Sequence, residues 1–309
     1  MRTSASKHYT IATVVKLLTG YAWFERMEKG VEKFGQQTGH QTFVRGPEKA
    51  DERLQAQIIK DLVDRGVDAI CVVPIFPLAL ELDLNKARNK GIVVISHEAS
   101  GQRNADYDIE AFDNAEYGTR LMDHLARSMR EEGEYGMLLG TLTGKSHKEW
   151  SQAAFKRQNS RYPNMKMLSK KLEDHDSQQI AYKQIRALLQ KYPNLRGILG
   201  CSMSSVPGAA QAVEEAGLRE SVSIVGTSLP SVNRKYLQNG PVKQISFWDP
   251  ADAGYVMNAL AVMVLEGRTI SAGMDLGVPG YKKITMDGKI IYGSAWIDVT
   301  RENMARYAF

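Results

Sequence analysis

What most constrains the fold is an alternation, present twice, of short apolar runs rich in β-branched residues with longer amphipathic stretches of helical period. In the first half the runs Tyr9–Lys16, Thr42–Val44, Ala69–Val73 and Val93–Ser96 are separated by helical stretches at 21–38, 50–65 and 78–90. In the second half the runs Tyr135–Leu139, Lys166–Lys170, Gly197–Cys201 and Val222–Gly226 go with helical stretches at 147–161, 177–191, 206–217 and 230–239. Strand and helix in strict turn are the pattern of a parallel sheet wound with helices. Gly39, Gly66, Gly91 and Gly217 each close a helical stretch just before a strand, where a left-handed residue ends the helix and glycine carries no Cβ penalty.

A chain of 309 residues is long enough for two such cores. Asp113-Asn114 opens a further helix over 114–130 and Trp248-Asp249-Pro250 another over 251–265. A strand pair near Lys289–Tyr292 leads into Trp296–Val299 and a short final helix. The expected architecture is α/β, two doubly wound parallel-sheet lobes joined by a multi-stranded hinge, with the chain crossing near 111–115, 245–249 and 293–298. Residues 1–112 and 248–293 form the expected N-terminal lobe, and 113–247 and 294–309 the C-terminal one. In such sheets ligands bind outside the carboxyl ends of the strands, so the residues just after each strand are those to inspect. Parallel linkers between rigid lobes guide closure around a ligand in the cleft between them.

Several function classes fall away. Hydrophobic residues make up 43% and charged residues 24%, the profile of a globular protein. The formal charge of +5 is spread along helices such as Glu25 to Lys33, where both signs interleave, and no zinc-finger spacing, basic helix or aromatic-basic repeat marks a nucleic-acid reader. Lys16 breaks the apolar stretch Ile11–Leu18, so no membrane-spanning run is present. Cys71 and Cys201 lie in different repeating units, which argues against a disulfide. Met1–Lys7 lacks the apolar core of a secretion signal, leaving a cytoplasmic chain or one that starts at its mature end. The sequence contains no Walker A loop, Gly-x-Ser-x-Gly elbow or His-Glu-x-x-His pair, and Thr19-Gly20-Tyr21 stands where a dinucleotide fingerprint would lie. The six histidines lack metal-ligand spacing, so no enzyme, metal or cofactor is expected.

What remains at the strand ends suits a polyol. Lys16 closes the first run and needs either an acceptor or an open cleft. Tyr21, Trp23 and Phe24 follow, and aromatic faces pack on the C–H faces of sugar rings; Trp23 and Phe24 are the candidates. His97-Glu98 follows Val93–Ser96, and a carboxylate bridges adjacent hydroxyls while a histidine both donates and accepts. Past Leu139 a loop carries Lys145, Ser146, His147 and Trp150, of which His147 and Trp150 are candidates, whereas Lys148 and Glu149 read as helix surface. Ser202 and Met203 follow Cys201, Ser228 follows Gly226, and Trp248 and Asp249 lie at an expected crossing. No arginine follows a first-half strand except Arg45, beside the turn Gly46-Pro47, which disfavours an amino-acid ligand.

The chain resembles the type I periplasmic solute-binding proteins of bacterial sugar ABC transporters along essentially its whole length, most of all the autoinducer-2-binding and rhamnose-binding branch. The resemblance rests on Val15-Lys16-Leu17 followed by Trp23-Phe24, on Pro207 to Ala212, on Ile224 to Val232, on Val242-Lys243-Gln244 running into Phe247-Trp248-Asp249, and on Glu302 to Phe309. It implies a monomeric periplasmic protein, or an extracytoplasmic lipoprotein, that carries a small neutral sugar or polyol to an ABC permease. A second reading is delivery of a sugar or an autoinducer-2-like signal to a membrane receptor. A sugar-responsive repressor of this fold would carry an N-terminal DNA-binding segment, for which a first strand beginning by Tyr9 leaves no room. Of the six positions the autoinducer-binding subset uses, Lys16 matches the lysine and Glu98 replaces an aspartate. Ser146 and His147 stand for aspartate and glutamine, and Cys201 and Met203 for proline and alanine. These changes disfavour autoinducer-2 and leave a monosaccharide, deoxysugar or sugar alcohol.

Overall fold

The computed structural model describes residues 7–168 and 171–309. The expected strand Lys166–Lys170 therefore lies partly outside the described residues, as does the opening segment 1–6. The chain divides into two compact units, one made of Met1–Ala111 and Trp248–Ala295, the other of Phe112–Phe247 and Trp296–Phe309.

Unit 1 begins β1 (Thr10–Val14), α1 (Ala22–Thr38), β2 (Gln41–Arg45), α2 (Glu52–Arg65), β3 (Ala69–Val72), α3 (Pro77–Asn89), β4 (Val93–His97) and β5 (Tyr107–Glu110). Unit 2 follows as α4 (Asn114–Met129), β6 (Gly133–Leu139), α5 (Lys145–Arg161), β7 (Met165–Met167), β8 (Leu172–Glu173), α6 (Gln178–Lys191) and β9 (Leu195–Gly200). It continues through α7 (Ser205–Glu215), β10 (Ser223–Thr227), α8 (Pro230–Asn239) and β11 (Val242–Phe247). The chain then returns to unit 1 as α9 (Pro250–Leu265), β12 (Thr285–Asp287) and β13 (Ile290–Tyr292), and ends in unit 2 with β14 (Ile297–Val299) and a 3-10 turn at Met304–Arg306. The final helix expected from sequence is thus a single tight turn, and Trp296 precedes the last strand.

The unit 1 sheet runs β12-β13-β5-β4-β3-β1-β2, parallel except for the β12–β13 hairpin. Ala12 of β1 pairs with Phe43 on one side and Ile70 on the other. The unit 2 sheet repeats the plan as β14-β11-β10-β9-β6-β7, with β8 also paired to β6 and only β14 antiparallel. Both sheets are doubly wound, as the alternation requires, and in each the first strand sits inside. The strand order therefore reverses at β1/β3 and at β6/β9, the switch points where the fold leaves a crevice for a ligand.

In unit 1, alternate strand residues divide between two helical layers. Ala12, Val14, Ile70, Val72 and Val94 pack with Ile59, Leu62 and Val63 of α2 and with Leu80, Leu84 and Ala87 of α3. On the opposite face Thr13 of β1 accepts a 3.0 Å hydrogen bond from Asn258 of α9. α1 and α9 cross so closely that a Cβ on Gly30 would overlap the Ala251 carbonyl. Unit 2 repeats this between α4 and α5, where a Cβ on Gly118 would strike the backbone of Trp150. At the unit 1 switch point the wholly buried Gln55 of α2 donates to the carbonyls of Val15 (3.1 Å) and Val73 (2.9 Å) and accepts from the Ile75 amide. It ties the carboxyl ends of β1 and β3 together and satisfies backbone groups that lie beyond the ladder.

Candidate functional site

In unit 1 the expected residues stand at the carboxyl ends of β1 and β4 and at the start of α9. β1 ends at Val14, so Lys16 lies two residues beyond it rather than within the strand. Its ammonium meets the Glu98 carboxylate at 3.0 Å, with side chains 18% and 8% exposed. Glu98 holds φ +58, a left-handed conformation that costs free energy for a residue with a Cβ and so points to a constraint at this turn. The preceding His97 is fully buried and faces the Ile109 carbonyl through Nδ1 at 2.6 Å. A carbonyl only accepts, so Nδ1 carries the proton. Nε2 is then an acceptor, and it has no hydrogen-bond partner among the described residues. Burial lowers the pKa of His97, against the opposing pull of Glu98 and the Ile109 bond, which keeps the ring neutral.

Trp248 lies between the edges of two rings, 4.7 Å from Trp23 and 5.9 Å from His97, both T-shaped. Phe24 stacks on Tyr21 at 5.4 Å. Asp249 caps α9 through the Ala251 amide at 2.9 Å and takes two bonds from Arg26, at 2.9 and 2.6 Å. Sequence reasoning missed Arg26. It sits near the start of α1, and nothing local marks an arginine there as the partner of a residue far along the chain.

In unit 2 the structure places Lys145, Ser146, His147 and Trp150 on α5, which begins at Lys145, and not in a loop. His147 Nδ1 accepts from the Gly140 amide at 3.2 Å, at the end of β6. Trp150 is buried, donates to Asn114 Oδ1 at 2.5 Å and packs edge-on against Tyr117. Ser228 is wholly buried, donates to the Met203 carbonyl at 2.7 Å and accepts from Asn233 at 2.6 Å. Met203 itself is 9% exposed. Ser202 donates to both oxygens of Asp174, at 3.1 and 2.9 Å, and Ser205 also bonds this carboxylate. Asp174 is fully buried, and burial together with Asp176 pushes its carboxyl up to about 7 against the pull of the serine bonds. Asp174 also escaped sequence reasoning, since Glu173-Asp174-His175-Asp176 reads as a solvated polar turn.

Both cysteines are free and buried, and burial pushes the Cys201 thiol up to about 12. Among the described residues no cluster of three or more His, Cys, Asp or Glu side chains is placed to hold a metal ion, and no helix is long and apolar enough to cross a membrane. The arrangement supplies a cation and a carboxylate in contact, aromatic edges, and an uncommitted imidazole acceptor, groups suited to hydroxyls that donate and accept.

Comparison with known proteins accounts for most of the chain. The curated D-allose-binding periplasmic protein of Escherichia coli is 25% identical over 272 residues, which cover 82% of this chain and 84% of that protein. An ABC transporter solute-binding protein from Clostridium phytofermentas, solved with bound L-rhamnose, superposes with a TM-score of 0.89 at 22% identity, covering 98% of this chain and 99% of the other. LsrB from Clostridium saccharobutylicum, solved with AI-2, gives a TM-score of 0.88 at 20% identity over 97% and 100% of the two chains. A family model described as the periplasmic binding protein domain matches residues 11–269, and the chain belongs to that family.

Proposed function

We propose that the chain binds one uncharged monosaccharide, deoxysugar or sugar alcohol, works on the outer side of the cytoplasmic membrane as a monomer, and delivers its ligand unchanged to the permease of an ABC importer. The observation that carries this reading is the Lys16–Glu98 pair beside Trp23, His97 and Trp248, all at the carboxyl edge of a doubly wound sheet. Ammonium and carboxylate together answer hydroxyls that both accept and donate, and apolar ring edges take the carbon face. Phe24 and Asp249 flank this group in unit 1, while His147, Trp150, Ser202, Met203 and Ser228 are the proposed contributors from unit 2. Ser202 and Ser228 act mostly through the backbone they hold, because their hydroxyls are already bonded. The relatives named for D-allose and solved with L-rhamnose point the same way.

An amino acid is disfavoured by the structure's addition to the edge. Arg26 is the arginine that could answer an α-carboxylate, and its guanidinium is doubly bonded to Asp249. Autoinducer-2 is disfavoured because Ser146, His147, Cys201 and Met203 occupy four of the positions its binders use. Native mass spectrometry of the freshly purified protein tests this. A bound pentose, deoxyhexose or alditol mass is expected, and a bound amino acid or autoinducer-2 would overturn it.

A further inference from the structure

Gly140 follows β6 at the switch point of unit 2, and its φ is not left-handed, so no turn requires glycine there. Space does. A Cβ on Gly140 would lie 2.6 Å from Asp176 Oδ1, 2.8 Å from His147 Cε1 and 3.0 Å from His147 Nδ1. A carboxylate from the β8–α6 connection and an imidazole from the first turn of α5 thus close over one α-carbon at the carboxyl edge of the sheet. The Gly140 amide also fixes the imidazole, because it donates to His147 Nδ1 at 3.2 Å. An amide N–H only donates, so Nδ1 is the unprotonated nitrogen and the ring presents Nε2–H as a donor.

Asp176 reaches Gly140 from a strained turn. His175 and Asp176 hold φ of +51° and +55°, two left-handed residues in succession and neither of them glycine. Aspartate visits this region more readily than most residues, but as a single residue, and a pair persists only where the surroundings over-determine it. Three bonds do so here. The His175 amide donates to the Gly140 carbonyl at 2.8 Å, the Asp176 amide to Asp174 Oδ1 at 3.0 Å, and the Ser204 hydroxyl to the Asp176 carbonyl at 2.9 Å. The backbone of Asp176 is thereby pinned to the ends of β6, β8 and β9, while its side chain stays half-buried beside His147. Strain held this firmly at a ligand edge points to function.

We propose that Asp176 is a ligand-binding residue of unit 2, its carboxylate accepting from one hydroxyl of the polyol while His147 Nε2–H donates to a hydroxyl beside it. An acceptor and a fixed donor side by side answer both polarities of a 1,2-diol. The proposal rests on the sugar-binding reading and gives unit 2 the acid that Glu98 supplies in unit 1.

The test joins calorimetry with unfolding midpoints on the full chain. Wild type is titrated with a panel of neutral aldoses, deoxysugars and alditols that includes D-allose and L-rhamnose, and the tightest of them is carried to the variants. Asp176→Gly removes the carboxylate and the backbone strain together, so its midpoint should be no lower than that of wild type while its affinity falls roughly tenfold or more, the ordinary effect of losing a charged acceptor. Asp176→Asn also takes the left-handed region readily and should weaken binding at least about fivefold, which keeps the proposal testable if the glycine variant fails to fold. Nitrogen-15 resonances of the sugar-free protein at pH 8 should show the His147 proton on Nε2. Wild-type affinity in both variants, midpoints that fall in both in step with affinity, or a His147 proton on Nδ1 would each overturn the proposal and leave the sugar reading standing. Binding of no panel member to wild type would instead remove the sugar reading, and the proposal with it.

Discussion

In Glu98 a constrained turn and a proposed binding role fall on one residue. Its left-handed backbone turns the carboxylate toward Lys16, and the pair stays partly open to solvent. Glu98→Gln and Trp23→Ala should each weaken sugar binding by more than about 1 kcal/mol with the fold intact, the usual cost of losing a charged acceptor or an aromatic contact. Calorimetry decides this, and wild-type affinity in both variants would place the ligand elsewhere. Asp298 makes a stability prediction. Burial alone would raise its pKa, but the neighbouring His124 ring and bonds from Arg120 and Ser246 outweigh that and hold the carboxyl below the usual range. A carboxyl with a lowered folded-state value stabilises the fold above its unfolded value and loses that contribution as pH falls through the folded one. Asp298→Asn should thus be less stable than wild type at neutral pH, with the gap closing as pH drops below about 4; a constant gap in urea titrations would contradict this. Lys16, His97 and Glu98 stand out in the sequence because each ends or follows an apolar run. Asp174, Gln55 and Arg26 do not, because a polar residue in a polar stretch looks the same whether water or a distant strand end satisfies it.

At the scale of elements, most of the pattern is legible because helix ends leave a chemical trace. Gly39 and Gly66 hold φ of 77° and 72° at the ends of α1 and α2, and Asp113 and Asp249 cap α4 and α9. β5 is harder to read, since Tyr107-Asp108-Ile109-Glu110 places two acids in four residues. It is nonetheless largely buried, and Asp108 Oδ1 accepts there from the Ser96 hydroxyl at 2.6 Å and the Ala99 amide at 3.2 Å. β8 is only two residues long and has no period to detect. The close helix crossings make a further prediction. Gly30→Ala between α1 and α9, and Gly118→Ala between α4 and α5, each force a methyl group into backbone and should destabilise by about 1–3 kcal/mol. Unfolding midpoints equal to wild type would show that these helices can separate freely.

For the whole molecule, the doubled alternation points to the α/β class, because strands and helices in strict turn bury their apolar faces by covering a parallel sheet with helices. Within the described residues the chain passes from one unit to the other at 111/112, 247/248 and 295/296. Rigid units joined by a few linker residues close when a ligand recruits groups from both. Small-angle scattering should show a smaller radius of gyration on saturation with sugar, and an unchanged radius across a full titration would contradict closure. The central claim, that this family member carries a neutral polyol, is tested most directly by thermal denaturation against a panel of aldoses, deoxysugars and alditols with amino acids and autoinducer-2 alongside. A ligand that binds only the folded state raises its stability by mass action, by about 2.7 kcal/mol at a hundredfold excess over Kd. One or a few neutral sugars or alditols should raise the melting temperature while amino acids and autoinducer-2 leave it unchanged, and a shift confined to an amino acid or to autoinducer-2 would contradict the account.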